Sequence, residues 1–374
     1  MLLINANAFM DGEFHPHTRL RLENETVTAI SPDLSSLPGE QVCDVEDQYV
    51  LPGFVDVHIH GCAGHDTMNG MDDLTEMSRY LSSCGVSVWL PTTMTAAVPA
   101  TRFALQGISE AMHAHVPGAA FIAGAHMEGP FLNPERCGAQ DPELLAIPSE
   151  EAFTEYSGEY ADIVRLVTLA PELPGADSLI RHLRCRGVTV SAGHSSASAE
   201  MLHQAADAGL SHATHLFNAQ PALHHRNPGL VGAALTDGRV ICEMICDGIH
   251  LHPDTVRLIC AAKGPTGAIA VTDAMEAAGM PDGNYSLGGQ TVSVCNGSAR
   301  LADGTLAGSV LRMKDAFRNL LSWGISPELA VPMCTSSPAD SVGLKDFGRI
   351  RVGSRGCLTC WNSTWTMTRV ITAP

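Results

Sequence analysis

Positive charge is scarce in this 374-residue sequence: 22 Lys and Arg stand against 40 Asp and Glu, a formal net charge of −18. Nucleic-acid recognition rests on a basic face, so a nucleic-acid partner is excluded, while a small anion can still sit in a local basic pocket. Long apolar runs are missing too. No segment reaches the roughly 18 apolar residues of a membrane span, and Met1 to Met10 lacks the basic flank and apolar length of a signal peptide. The expected setting is the cytoplasm, with no membrane partner. The 12 cysteines follow no framework spacing, which in that setting means reduced, mostly buried thiols. Cys357 and Cys360 form a CxxC, but in a strand-like tail and not at the helix N-terminus that redox chemistry uses. Glycosylation-type triplets open at Asn24, Asn284, Asn296 and Asn362 and carry no meaning without secretion. Tandem repeats and low-complexity stretches are absent as well.

What is present is an ordinary globular composition, 45% hydrophobic and 17% charged, with length for one large and one small domain. Residues 1–50 contain short alternating runs split by Asp11-Gly12 and Ser31-Pro32, which read as hairpins. Residues 347–374 have the same character. Neither piece can bury a core alone, so the two ends are expected to meet in one small β-sandwich with residues 51–346 inserted between them. In the insert, apolar β-branched runs alternate with helical segments: the opening stretch Val50 to Gly61, then Gly85 to Leu90, Ala120 to Ala125, Ile163 to Leu169, Val188 to Ala192, Ser211 to Thr214, Val240 to Ile245 and Ala268 to Thr272. Alternation of this kind gives parallel βα units, and eight of them give a (β/α)8 TIM barrel.

The residues that close these runs carry the chemistry. They are His58 and His60, Pro91-Thr92-Thr93, Glu128, Pro171-Glu172, His194, His215, Asp247 with His250, and Asp273. A barrel gathers its active site from the C-terminal ends of its strands. Residues i and i+2 of a strand face the same way, so His58 and His60 converge; alone, they could equally be loop residues on the surface. Two neutral imidazoles and a carboxylate, from His194, His215 and Glu128, with one position left to water, form the ligand set of a catalytic zinc-type site. A carboxylate beside metal-activated water can take and pass on a proton, which is the task expected of Asp273; a plain salt bridge is its other reading.

The stretches PGFVDVHIHG, HMEGPF, AGHS, THLFNA, RNPGLVGAA, DGIHLHP, VTDAM and DGTLAGS, in this order and spacing, resemble the N-acetylglucosamine-6-phosphate deacetylase family of the amidohydrolase superfamily over nearly the whole chain. The resemblance implies hydrolysis of the acetamide of N-acetyl-D-glucosamine 6-phosphate, with Glu128, His194 and His215 on the catalytic divalent ion, zinc being the expected metal. It implies Asp273 as general base and then acid. Asn218, the backbone at Ala219, Arg226 and His250 match positions that hold the sugar phosphate, and Gln140, beside Ala139, stands where many members carry a His that polarises the amide carbonyl. His58 and His60, replaced in some members, are intact, so one or two ions per chain are expected, the second sharing Glu128. The implied partner is a small phosphorylated amino sugar and the implied assembly a homodimer. Gln140, and Gln220 where Met is usual on the pocket rim, leave the N-acetylgalactosamine 6-phosphate epimer open as substrate. A non-catalytic scaffold on the same fold is the reading of another class, opposed by the intact Glu128, His194, His215 and Asp273.

Overall fold

In the computed structural model, which describes residues 1–372, the apolar run after Gly53 becomes the first stave of a parallel barrel. The staves are Phe54–Ile59, Val86–Thr93, Ala125–Glu128, Val164–Leu169, Thr189–Ala192, His212–Ala213, Ile241–Ile245 and Ala268–Val271, each paired in parallel with the next. Staves covered on both faces need not alternate, and Val86–Thr93 is buried at every position. Outside it, helix Met71–Ser83 turns Leu74, Met77, Ser78 and Leu81 inward, the one-sided stripe of a 3.6-residue period. The seam between last and first staves is closed by the Asp273 N–H donating to the His58 carbonyl at 2.8 Å, and by the buried Asp56 carboxylate, which accepts from Thr272 Oγ1 at 2.6 Å.

The third run differs from the sequence expectation. Phe121–Ile122 pairs only with the second stave, at Val88 and Trp89, and the true third stave starts at Ala125. Gly124 separates them, at φ +146 and where a Cβ would lie 2.6 Å from the Ile163 carbonyl oxygen. Only a glycine lets the chain step there from one line of the sheet to the next.

The terminal segments meet in one sheet. Leu358–Trp361 lies antiparallel to Tyr49–Pro52, which runs beside Leu2–Met10, and hydrogen bonding joins the terminal strands into one continuous seven-stranded sheet that closes over a core of its own. Register shifts inside Leu2–Met10 bend it. As a result Leu3, Leu20 and Val27 share a core with Leu358, Cys360 and Ile371 from the far edge. Leu51 and Pro52 still belong to this sheet, so the first stave of the barrel begins at Phe54, three residues after the expected boundary at 51. Cys357 and Cys360 are buried, with thiols pushed by burial up to about 11 and 12, as inert as expected.

Two features escaped the sequence reading. Gly283–Leu287, Gln290–Cys295 and Ser298–Arg300 form an antiparallel meander after the last stave, with its own core of Met94, Met275, Leu287, Val292 and Val294. Its signal was there: Gly288-Gly289 flanked by Val292 and Val294 in alternation is a hairpin pattern. Helices Met313–Ser322, Pro327–Cys334 and Ser336–Ser341 then pack on the first and last staves.

Trp361 couples the two units. It comes from the terminal sheet, is fully buried, and meets Phe317 and Phe54 of the barrel at 5.0 and 6.0 Å between ring centroids. Trp361→Ala is expected to cost about 3–5 kcal/mol, seen as a lowered urea midpoint; a loss under about 1 kcal/mol would show that this contact does not fasten the sheet to the barrel.

Candidate active site

Three of the strand-end residues share an unusual backbone. His194, His215 and Asp273 have φ of +48, +29 and +47, a left-handed conformation that costs a residue with a Cβ about 1–3 kcal/mol. Each kink turns the side chain back over the barrel mouth. The kinks are held locally. Gly193, before His194, packs where a Cβ would lie 2.7 Å from Thr168 Cγ2 and from Thr214 Cβ, so His194 can lie close over its neighbouring staves. The Asp273 carbonyl accepts from Ser309 N at 2.7 Å, and Ser309 Oγ donates to the Thr272 carbonyl at 2.6 Å.

Glu128, at the end of the third stave, is the centre. Its Oε1 lies 3.1 Å from His215 Nε2, 3.2 Å from His194 Nε2 and 3.4 Å from His58 Nε2; its Oε2 lies 3.2 Å from His60 Nε2. Asp273 Oδ1 stands 3.3 Å from His60 Nε2 and 3.5 Å from His58 Nε2. Side chains from five different staves thus meet in two groups, Glu128 with His194 and His215, and His58 with His60 and Asp273, the ligand atoms of each within 4.8 Å of one another. From sequence, Glu128 was assigned to both groups and Asp273 to proton transfer alone; the geometry sets Asp273 beside the histidine pair.

The donor set fits a divalent cation. His194 Nδ1–H donates to the Arg136 carbonyl at 2.8 Å, His60 Nδ1–H to the Thr92 carbonyl at 3.1 Å, and His58 Nδ1–H to Glu243 Oε2 at 3.1 Å. That tautomer leaves the Nε2 of these three a lone pair facing inward, while His215 Nδ1 is buried without a hydrogen-bond partner. His58 Nε2 is buried with no hydrogen-bond partner, and the Nε2 atoms of His194 and His215 face each other at 3.1 Å. Two ring nitrogens at that distance call for a proton or a cation between them. Burial opposes charge on all these groups, yet the charged and hydrogen-bonded neighbours win: Glu128 is held well below the ordinary carboxylate range by His58 and His194, and Asp273 is lowered by His58 and His60.

A cavity of ≈ 260 Å³ opens above, lined by His60, Glu128, His194, His215 and Asp273 on one side and by Ala139, Gln140, Asn218, Ala219 and His250 on the other. Leu287, Thr305 and Leu306 of the meander region complete its wall. His250 is oriented by Asp247, whose Oδ2 accepts from Nδ1 at 2.7 Å, leaving Nε2 for a ligand. Gln140 is buried and its amide is already engaged: Oε1 accepts from Thr95 N and Nε2 donates to Glu128 Oε2, both at 2.7 Å. Its nitrogen also lies 3.7 Å from Met94 Sδ, a weak acceptor, so a substrate carbonyl would have to replace that sulfur as partner of the second N–H. Arg226 is not brought to the cavity; it is exposed, with Nη1 2.9 Å from His225 Nε2. Gln220 is also not on the rim. It is buried, accepting from Phe217 N and donating to the Thr214 carbonyl, both at 3.0 Å, because the turn at 215–219, left-handed at His215, Phe217 and Ala219, needs its inner polar groups paired.

Glu243 was missed. It sits in the seventh stave inside the run Val240 to Ile245, fully buried. A lone carboxylate in an apolar strand is itself a signal, since a buried charge must have partners.

Comparison with known proteins places this arrangement. The chain matches the Amidohydrolase family over residues 49–372. It is 36% identical to an N-acetylgalactosamine-6-phosphate deacetylase of Escherichia coli O157:H7, over 92% of this chain and 90% of that one. It is 42% identical to an N-acetylglucosamine-6-phosphate deacetylase of Bacillus subtilis (strain 168), over 73% of this chain and 70% of that one. A variant N-acetyl-D-glucosamine-6-phosphate deacetylase from Mycobacterium smegmatis, solved in complex with N-acetyl-D-glucosamine-6-phosphate, superposes with a TM-score of 0.91 at 31% identity, covering 99% of this chain and 97% of that one.

Metal uptake should be coupled to protons. Burial pushes the His60 imidazolium down, but hydrogen bonds to Asp273 and Glu128 outweigh it and lift the group from 6.5 to about 9. In metal-free protein this proton stabilises the fold fully below pH 6.5, and that contribution is lost as pH rises through about 9. An ion must displace it, so apparent affinity should rise with pH up to about 9. Calorimetry at pH 7.5 in two buffers of different ionisation enthalpy should show proton release; equal heats in both would contradict it.

Proposed function

The chain belongs to the amidohydrolase family, a metal-dependent one, and on that premise we propose that it hydrolyses the acetamide of N-acetyl-D-glucosamine 6-phosphate to D-glucosamine 6-phosphate and acetate. The observation that carries this reading is the placement of Asp273 and two adjacent groups of metal-ligating side chains at the floor of one cavity, with His250, Asn218 and Ala219 at its side.

Glu128, His194 and His215 are the residues to hold the catalytic ion. Two imidazoles and a carboxylate with an open position suit zinc, and His58 and His60 have room for a second ion. When bound, the ion supplies Lewis acidity, lowering the pKa of water and polarising the amide carbonyl. The chain does the rest. Asp273, kept anionic, takes the proton of the attacking water at a carboxylate oxygen as the C–O bond forms. It then gives that proton to the nitrogen as the C–N bond breaks, so that the amine leaves neutral. Gln140 steadies Glu128, and its other N–H, now beside Met94 Sδ, is the donor that would shift to the carbonyl. His250, Asn218 and the backbone at Ala219 receive the sugar phosphate; Arg226, which the family resemblance would add to them, stands outside the cavity in the single chain. Leu287 and Leu306 keep bulk water off the reacting face.

The setting that goes with this reading is the cytoplasm, and the 12 free thiols suit a reducing compartment. Among the described residues no helix is long and apolar enough to cross a membrane. A homodimer is the assembly suggested by the resemblance, to be checked by sedimentation.

A second substrate reading has its own support. The Escherichia coli relative that matches most of the chain bears the galactosamine name, and the two epimers differ at a single hydroxyl.

Asp273→Asn should keep the ion of the Glu128 group and bind substrate, while kcat falls at least about 10²-fold, the scale of losing a general acid-base group. Wild-type turnover in this variant would assign proton transfer elsewhere. Rates measured side by side on the two N-acetylhexosamine 6-phosphates should favour the glucosamine epimer; a higher kcat/KM on the galactosamine epimer would reassign the substrate and leave the reaction unchanged.

A further inference from the structure

Glu243 reaches neither the cavity nor the reacting atoms, yet one of its oxygens touches both groups of metal-ligating side chains. Its Oε2 accepts from His58 Nδ1 at 3.1 Å, in the histidine-pair group, and from the backbone N–H of His215 at 3.2 Å, in the Glu128 group. The main-chain carbonyl of Glu243 accepts from Leu216 N at 2.9 Å. The turn that carries His215 is therefore pinned at two successive donors by one residue. The turn needs pinning: His215, Phe217 and Ala219 have φ of +29, +78 and +52, and a left-handed conformation persists only where its surroundings over-determine it.

On the His58 side the contact decides a tautomer. A carboxylate on Nδ1 keeps the proton there and makes Nε2 the ligand atom, and it raises the basicity of that atom. His58 Nε2 is buried without a hydrogen-bond partner and lies 3.4 Å from Glu128 Oε1 and 3.5 Å from Asp273 Oδ1. The other oxygen, Glu243 Oε1, is buried without a hydrogen bond and faces His212 Nδ1 at 3.7 Å. A fully buried carboxylate left this lightly paired on one side is expensive. Packing alone would be served better by an apolar residue in the same stave.

We propose that Glu243 is a positioning residue for the metal centre: it fixes the His58 tautomer and the His215 turn together, and so couples the His58–His60 group to the Glu128–His194–His215 group. The proposal rests on reading both groups as divalent-ion sites. Conversion to Gln separates charge from shape, because the amide oxygen can still accept from both donors.

Protein stripped of metal by chelation is titrated with Co²⁺, followed by calorimetry and by the visible absorption of the bound ion. Wild type should take up Co²⁺, and Glu243→Gln should weaken the ion at the histidine pair by about 10-fold or more, the scale of losing a partner of a metal-bound His, and alter its absorption. In the His58→Gln background, where only the Glu128 group remains, adding Glu243→Gln should weaken the remaining ion by less than about threefold. Unchanged Co²⁺ affinities and spectrum in Glu243→Gln would overturn the proposal. So would a tenfold loss in the His58→Gln background, which would mean that Glu243 does not act through His58. Absence of Co²⁺ uptake by wild type would instead overturn the reading of the two groups as metal sites.

Discussion

The structure turns on charge compensation in a dry space. Glu128 and Asp273 sit side by side among four imidazoles, all buried, and stripping a carboxylate of water costs several kcal/mol unless opposite charge replaces the solvent. Every polar contact around them arranges for that charge to arrive where it is needed. The carbonyls of Arg136 and Thr92 and the Glu243 carboxylate hold the Nδ1 protons outward, and the inward Nε2 atoms are left for a cation. Without one, protons take its place, which is why His60 is so basic.

Holding such a constellation requires backbone that ordinary strand ends do not provide. The left-handed residues His194, His215 and Asp273 store strain, and the network beneath them stabilises it: Ser309 against Asp273, Gln220 across the turn at 215–219, and Glu172 below His194, where it accepts from Ser195 Oγ at 2.6 Å and from Asn133 Nδ2 at 2.7 Å. None of these partners lines the cavity. They turn eight generic strand ends into one specific site.

The two units outside the barrel serve the site at different distances. The terminal sheet is remote and acts through stability, with Trp361 locked against Phe317 and Phe54. The meander is close. Gln290 Nε2 donates to the Ala139 carbonyl at 2.7 Å, and Leu287 closes the wall over the reacting side of the cavity. Both positions lie far in sequence from the staves they complete, so neither role follows from local pattern.

Much of the site was legible in the sequence, because its ligands stand where periodic apolar runs end and such ends converge in a parallel barrel. That rule located His58, His60, Glu128, His194, His215 and Asp273, and the run boundaries located most staves to within a few residues. The helix Met71–Ser83 follows from its apolar spacing alone. Tertiary structure decided what periodicity does not encode: which nitrogen of each imidazole faces inward, that Asp273 joins the histidine pair, that Gln140 spends one donor on Glu128, that Gln220 turns away from the rim, and that Arg226 lies outside the cavity within one chain. It also showed Glu243, a carboxylate with no motif around it. Local pattern fixes the direction of a side chain relative to its own strand, whereas hydrogen-bond partners come from other staves, and only closing the barrel brings them within 3 Å or so of one another.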